Sequence, residues 1–582
     1  MDTRQSKCLL CSLGCDIAFR AKGGAVAGPE FCPADGPHSA RVCARGLYGT
    51  ELLSHPQRVA EPFVRRDGKL REASWSLAVD TLASALKGVI ESHGSASVAI
   101  VTEPTRSTAE LEAVGRFADH LGAGAVSCLF EPQDWSLMAG GESAGLSAVH
   151  EANCVIVLGD VFFSHSVVAK EIIDAKYTAR GNSLFVVDPR RSNTAWYASE
   201  HLQIRPGAEA LVLTCVLKSL RAAGKVPAAA HAWLDSVDES ALLAAAGVGR
   251  DAVARMARTF ADAGKGALVV APPARGMDDV ALVASLSRLI ADAAGANKAC
   301  VFLPADGNAM GARRVAVEGG WTPISSLLTD LAAGKYRALL SFGADPLASF
   351  PSAALNDAVS GLDLVASVSL FRGALEGASS VVLAGASWLE SDGAAELFDG
   401  STVQWSGVGA PSWGCRALPD VIALVEAALG QPSGSRPRVD VPAASPEVPE
   451  ATLAARVEAV RAACAAGSNN GLALIALPAT GHQGAGALTR WMQWAQDIFP
   501  GGFIELNAQD AAALGVVESD CVAVESVAGR QELKVVVTER LKTGVAAVPG
   551  YDPAARSLFS WQPGADGWFF TGPGAVRVSR KQ

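Results

Sequence analysis

The chain has 582 residues, which at about 150 residues per domain predicts several domains with ample interior for separate cores. Lys and Arg number 49 against 59 Asp and Glu, a formal charge of −10, and only 19% of residues are charged. That balance excludes the basic stripe a nucleic-acid partner requires, and a 49% hydrophobic content excludes a disordered chain. The longest apolar stretches, such as Val155–Gly159 and Leu268–Pro272, have the length of buried strands, not of membrane spans. No apolar run separates Met1 from the first cysteines, so no secretory leader is read, and a cytoplasmic protein without direct membrane insertion is expected.

Twelve cysteines are present, and Cys8, Cys11, Cys15, Cys32 and Cys43 crowd the first 43 residues. With no secretory leader, a disulfide framework is not expected. Three thiolates at the spacing Cys8-x2-Cys11-x3-Cys15 can wrap three corners of a cubane, and a fourth from a later turn closes it. Cys43 is preferred as that fourth ligand because it sits in Cys43-Ala44-Arg45-Gly46, where a cation offsets cluster charge; Cys32 is the alternative. Zinc would more often show two matched C-x2-C pairs.

After the cysteines, Asp67-Gly68 predicts a hairpin turn and Ser74 an N-cap, followed by a helix over 75–92. Strands are expected at 98–101, 154–159, 183–187, 267–270, 299–303, 338–342, 364–368 and 380–383, with helices over 109–121 and 164–180. Continuous apolar runs alternating with helices predict parallel strands buried on both faces, hence two doubly wound α/β units. Pro432, Pro437, Pro442, Pro446 and Pro449 mark a linker, and short strands at 502–506, 521–526, 532–537 and 545–548 predict a small β-barrel. The expected domains are 1–60 for the cluster, 61–430 for two interleaved α/β units, 431–469 for a Pro-rich linker and helix, and 470–582 for the barrel.

Ligands of open α/β sheets sit beyond the carboxyl ends of strands. Four such ends carry polar or glycine-rich continuations: Gly159-Asp160, Asp188-Pro189-Arg190-Arg191, Asp306-Gly307-Asn308 and Gly343-Ala344-Asp345. Carboxylates there can accept from a ribose or guanine edge, and Arg and bare backbone can meet phosphate. Neither the G-x-G-x-x-G nor the G-x-x-x-x-G-K-[ST] pattern occurs.

In this order the motifs resemble the molybdopterin oxidoreductase superfamily, which includes formate dehydrogenases, nitrate reductases and the large iron–sulfur subunit of respiratory complex I. The resemblance runs from the cysteine motif through Val157-Leu158-Gly159-Asp160, Asp188–Ala195, Arg205-Pro206-Gly207, Asp306–Gly311 and Gly343–Leu347 to Leu506-Asn507 and Asp520. It implies a [4Fe–4S] cluster on Cys8, Cys11, Cys15 and Cys43, with Arg45 bridging it to a pterin site. It also implies that Asp160, Asp188, Arg190, Asp306, Asn308, Gly343, Asp345 and Asn507 line the positions of a Mo/W-bis(molybdopterin guanine dinucleotide) cofactor.

The catalytic part departs from the family pattern. Formate dehydrogenases place Cys or selenocysteine before a His; here Cys128 is followed by Leu129, and Asp134 is the other candidate metal ligand. No substrate-orienting His/Arg pair is evident near them. The expectation is an electron-transferring subunit of a multi-subunit oxidoreductase with iron–sulfur or flavin partners. The alternatives are a complete formate dehydrogenase-like enzyme and a non-redox assembly protein with a structural cluster.

Overall fold

A computed structural model describes residues 2–22, 25–30, 41–138, 141–226, 231–272, 277, 279–411, 413–430, 436, 438–439, 448–466, 471–563, 569–570 and 574–581. Cys32 and most of the Pro-rich linker lie outside the described residues.

The amino-terminal strands Asp2–Lys7, Asp16–Lys22 and Ala25–Glu30 form an antiparallel sheet that carries the cysteine loop between its first two strands. Two larger sheets follow. In the seven-stranded sheet the order is Lys69–Glu72, Phe63–Arg66, Val381–Ala384, Leu364–Ser369, Ala338–Phe342, Val98–Thr102, Ala125–Cys128. The last five run parallel, and the hairpin closes one edge antiparallel, its turn made by Asp67 and Gly68, both at positive φ. The five-stranded sheet is wholly parallel in the order Glu200–Gln203, Ser183–Asp188, Cys154–Leu158, Gly266–Val270, Lys298–Phe302. Its central strands are buried on both faces, as continuous apolar runs require.

Both sheets reverse direction in mid-sheet. The chain leaves Val98–Thr102 toward one edge and resumes at Ala338–Phe342 on the other side; Cys154–Leu158 and Gly266–Val270 repeat the arrangement. Such switch points open a crevice beyond the strand ends.

The helix predicted over 75–92 spans Trp75–His93, capped by Ser74 accepting from the Leu77 amide, and buries Ala78, Leu82, Leu86 and Val89. The single helix expected over 164–180 is two helices, Val161–Ser164 and Ser166–Thr178. His165 breaks it, its ring bridging the Ser164 hydroxyl and the Pro304 carbonyl from a non-helical backbone. Residues Ala125–Cys128 pair as an edge strand.

The carboxyl-terminal region is a closed six-stranded barrel, Leu472–Leu477, Val545–Pro549, Phe503–Asn507, Arg530–Thr538, Cys521–Glu525 and Gly574–Arg580. The first and last of these in the chain were not predicted, yet they pair with each other and so abolish the exposed edge. Among the described residues no helix is long and apolar enough to cross a membrane.

Candidate functional site

The loop from Cys8 to Cys15 is closed by the Cys8 amide donating to the Cys15 carbonyl at 2.8 Å. Cys8 and Cys11 are buried, Cys15 and Cys43 half-buried, and none of the described cysteines is in a disulfide. Burial, and then the neighbouring thiols, push Cys8 and Cys15 well above the ordinary thiol range. Burial also raises Cys11, with Arg45 opposing it. Burial would raise Cys43 as well, but the Arg45 guanidinium outweighs it and holds this thiol below its ordinary value. Four neighbouring thiols, two buried and two half-buried, fit a polycationic centre that takes them as thiolates. A Cβ on Gly46 would stand 3.2 Å from Cys8 Sγ and 2.7 Å from a Val42 methyl, so only a bare backbone passes this close to the thiols.

Arg45 leads from the thiols into a cleft. The helix Ala44–Leu47 that begins after Cys43 buries it completely. Its Nη1 donates to the His482 carbonyl at 3.1 Å and its Nη2 to the Ser164 carbonyl at 2.6 Å, while Nε has no hydrogen-bond partner among the described residues. The cleft, with about 540 Å³ of empty space including its open mouth, is lined by Arg45, Gln133, Asp134, His165, His482 and Tyr551 among others. It lies where the five-stranded unit, the seven-stranded unit and the barrel meet. His482 stacks on Tyr551 with ring centroids 4.2 Å apart. Burial lowers His165 to about 3, so its ring is neutral; Nε2–H donates to Pro304 and Nδ1 accepts from Ser164.

Asp134 lines this cleft, with Oδ1 accepting from the Ala305 amide at 2.9 Å and Oδ2 from the Asp306 amide at 3.0 Å. Burial pushes its carboxyl above the usual range, against those amides. Asp306 lies behind it, accepting from the Glu131 amide at 3.1 Å and from Gln483 at 2.5 Å. Burial, then Asp134, raises Asp306 strongly. Cys128 is fully buried in the main core and does not line the cleft; burial, then Asp306, raises its thiol.

The remaining candidates fall into two groups, with Asn308 apart from both. Asp160, Asp188, Arg190 and Asn507 gather where the five-stranded sheet meets the barrel. Asp160 accepts from Thr194 at 2.7 Å, and Asp188 from the Arg190 amide at 2.7 Å. Arg190 makes a two-point ion pair with Glu505, and Asn507 caps Ala508–Leu514 while donating to the Leu541 carbonyl. Gly343 (φ 89°) and Asp345 line a second cleft of about 380 Å³ at the switch point of the seven-stranded sheet, with Glu103, Arg490 and Trp491. Asn308 stands apart from both clefts, fully buried, donating to the Arg106 carbonyl and accepting from the Glu396 amide.

A model of the molybdopterin oxidoreductase family matches residues 58–425, and one of the molybdopterin dinucleotide binding domain matches residues 472–564. The chain belongs to the molybdopterin oxidoreductase family. This molybdopterin oxidoreductase chain is 25% identical to the NADPH-Fe(3+) oxidoreductase subunit alpha of Geobacter sulfurreducens, over 94% of this chain and 72% of that one. It is 24% identical to the F420-dependent formate dehydrogenase 1 subunit alpha of Methanococcus maripaludis over 38% of this chain and 33% of that one. It is 26% identical to the periplasmic nitrate reductase of Desulfovibrio desulfuricans over 35% and 28%. Its fold is that of acetylene hydratase from Pelobacter acetylenicus, with a TM-score of 0.76 at 14% identity, covering 99% of this chain and all of that one.

Sequence reasoning named no histidine at the site. The signal available for His165 was a lone His beside the strand end Gly159-Asp160, and for His482 a Gly-His-Gln-Gly turn; neither is distinctive without the fold.

Proposed function

We propose that this chain is an electron-transferring subunit of a multi-subunit oxidoreductase. In this reading Cys8, Cys11, Cys15 and Cys43 hold a [4Fe–4S] cluster, and the clefts beside Arg45 and Asp345 hold a Mo/W-bis(molybdopterin guanine dinucleotide) cofactor. The observation that carries it is Arg45, wholly buried, with its charge among the four thiols and its guanidinium bound to carbonyls at the cleft wall. When bound, the cluster supplies one-electron transfer and the pterin-held metal two-electron chemistry.

The residues of this chain do the positioning. Arg45 neutralises thiolate charge and, tethered to Ser164 and His482, fixes the spacing between thiol loop and cleft. Neutral His165 keeps Ser164 in place by accepting from its hydroxyl, so the carbonyl that binds Arg45 is held at a defined position. The stacked Tyr551 and His482 rings form one wall of the cleft. Relay is favoured over complete catalysis because Asp134 spends both oxygens on backbone amides and Cys128 does not line the cleft. The Geobacter relative, itself named as an alpha subunit, accords with partner subunits. A second reading, a formate dehydrogenase-like enzyme, is favoured by the place of Asp134 in the cleft wall. Cytoplasmic localisation belongs to the proposal.

Metal analysis of anaerobically purified protein tests this. About four irons with matching acid-labile sulfide are expected from one cubane, and Cys43→Ser should abolish the low-temperature paramagnetic signal of the reduced cluster. An unchanged signal would point to Cys32. Iron together with formate oxidation by the isolated chain would favour the enzyme reading, and protein without iron or sulfide would overturn both.

A further inference from the structure

Exposed aromatic residues gather on one side of the short helix whose last carbonyl binds Arg45. From that helix, Val161–Ser164, the ring of Phe162 lies 5.4 Å from that of Tyr197, and the Phe162 amide donates to Thr194. Tyr197 is 43% exposed, its neighbour Trp196 68%, and Tyr177 64%. Lys176 joins them, donating to the Tyr197 carbonyl and sitting 5.1 Å from the Tyr177 ring centroid, and the Arg191 guanidinium lies 5.2 Å from the Trp196 ring. Exposed apolar residues scattered singly are ordinary, but a contiguous aromatic group on a monomer's surface marks a contact site.

Its charge runs against that of the chain. Among the described residues Lys176, Arg191 and the exposed Arg180 form no ion pair; of the neighbouring carboxylates, Asp188 is buried, and Asp174 and Glu200 are held by Lys170 and by Arg255. A chain of net charge −10 thus carries here a cationic aromatic surface. Packing links the surface to the cysteine loop. Cys15, Cys43, Phe162 and Ala198 pack against one buried cluster containing Val161, Val167 and Ala195.

We propose that the Tyr177–Trp196–Tyr197 surface docks a small acidic iron–sulfur electron carrier of ferredoxin type. The proposal rests on the relay reading, since it makes this face the port to the cluster. Complementary charge would steer the encounter, and a small aromatic centre suits the limited, transient interfaces of electron carriers. Per encounter the carrier would give up one electron to a cluster held by Cys8, Cys11, Cys15 and Cys43, with no bond made or broken.

The test is anaerobic stopped-flow reduction of the full chain by a purified, reduced acidic ferredoxin, with reduced methyl viologen as a small mediator. Lys176→Glu/Arg191→Glu and Trp196→Ser should slow reduction by ferredoxin about tenfold or more, the scale of electrostatic steering, and leave reduction by viologen unchanged. Rising salt should slow the wild-type ferredoxin reaction. Viologen reduction that is normal, with ferredoxin rates at the wild-type value in both variants, would overturn the docking site alone. A wild-type chain that viologen leaves spectrally unchanged would overturn the relay reading and this proposal with it. Conversion of a wild-type dimer to monomer by Trp196→Ser, with ferredoxin rates unaltered, would assign the surface to a second copy and overturn the proposal.

Discussion

Arg190 donates through Nε and Nη2 to the two carboxylate oxygens of Glu505, both contacts at 2.8 Å and both side chains almost entirely buried. One residue closes the Asp-Pro-Arg turn of the five-stranded sheet, and the other lies in a barrel strand some 315 positions later. The pair therefore latches the barrel onto the α/β body. Removing one partner strands a buried charge, so Glu505→Ala should lower stability by about 3–5 kcal/mol. The double change Arg190→Met/Glu505→Leu removes both charges and should recover most of that loss. Urea denaturation followed by tryptophan fluorescence would measure it, and a double variant as unstable as the single one would contradict the latch.

Gly307 abuts the cysteine loop. A Cβ there would lie 2.0 Å from the Leu9 carbonyl oxygen, between Cys8 and Cys11. Backbone cannot give way as a flexible side chain does, so Gly307→Ala should cost at least about 2–3 kcal/mol and lower the iron content of purified protein. Gly88, inside the helix Trp75–His93 with no atom within 4 Å of its added Cβ, is the control. Gly88→Ala should stabilise by about 0.5–1 kcal/mol.

Asp188 predicts a pH dependence. Burial, and then the nearby Asp160 carboxylate, raise it to about 8 in the folded chain, far above its unfolded value. Between those two values the folded state holds a proton the unfolded state lacks. Stability contributed by the protonated form is complete below the unfolded pKa and falls as pH rises toward 8, with a limiting slope of about 1.4 kcal/mol per pH unit. Asp188→Asn should flatten that decline, and thermal midpoints of the two proteins from pH 5 to pH 8 would reveal it.

Asn308 ties three segments together. Its Nδ2 donates to the buried Arg106 carbonyl at 2.8 Å and its Oδ1 accepts from the amide of half-buried Glu396 at 2.8 Å. Asn308→Ala would leave both backbone groups unsatisfied, at about 1–3 kcal/mol for each. Amide exchange at Glu396 should accelerate; protection equal to wild type would show that the bond contributes nothing.

Local patterns made much of the fold legible. Apolar runs such as Cys154–Leu158 and Ala338–Phe342 read as doubly buried strands, and Asp67-Gly68 and Ser74 identified a turn and a cap, because each effect acts within a few residues. Two barrel strands escaped, although Leu472–Leu477 is itself a continuous apolar run. Leu472–Leu477 and Gly574–Arg580 are strands because they close the barrel on each other across a hundred residues. His165 breaks its helix because the Pro304 carbonyl, 139 residues further along the chain, accepts its ring N–H.

By itself the sequence determined the alternation of strands and helices, the spacing of the thiols and the cation beside Cys43, all properties of short segments. Only the tertiary structure decided that Arg45 points from the thiols to His482 and Ser164, that Asp134 caps the 305–306 backbone, and that Arg190 meets Glu505. Those partners lie more than a hundred residues apart, and which buried polar groups satisfy one another is settled only when separate units pack and water is excluded between them.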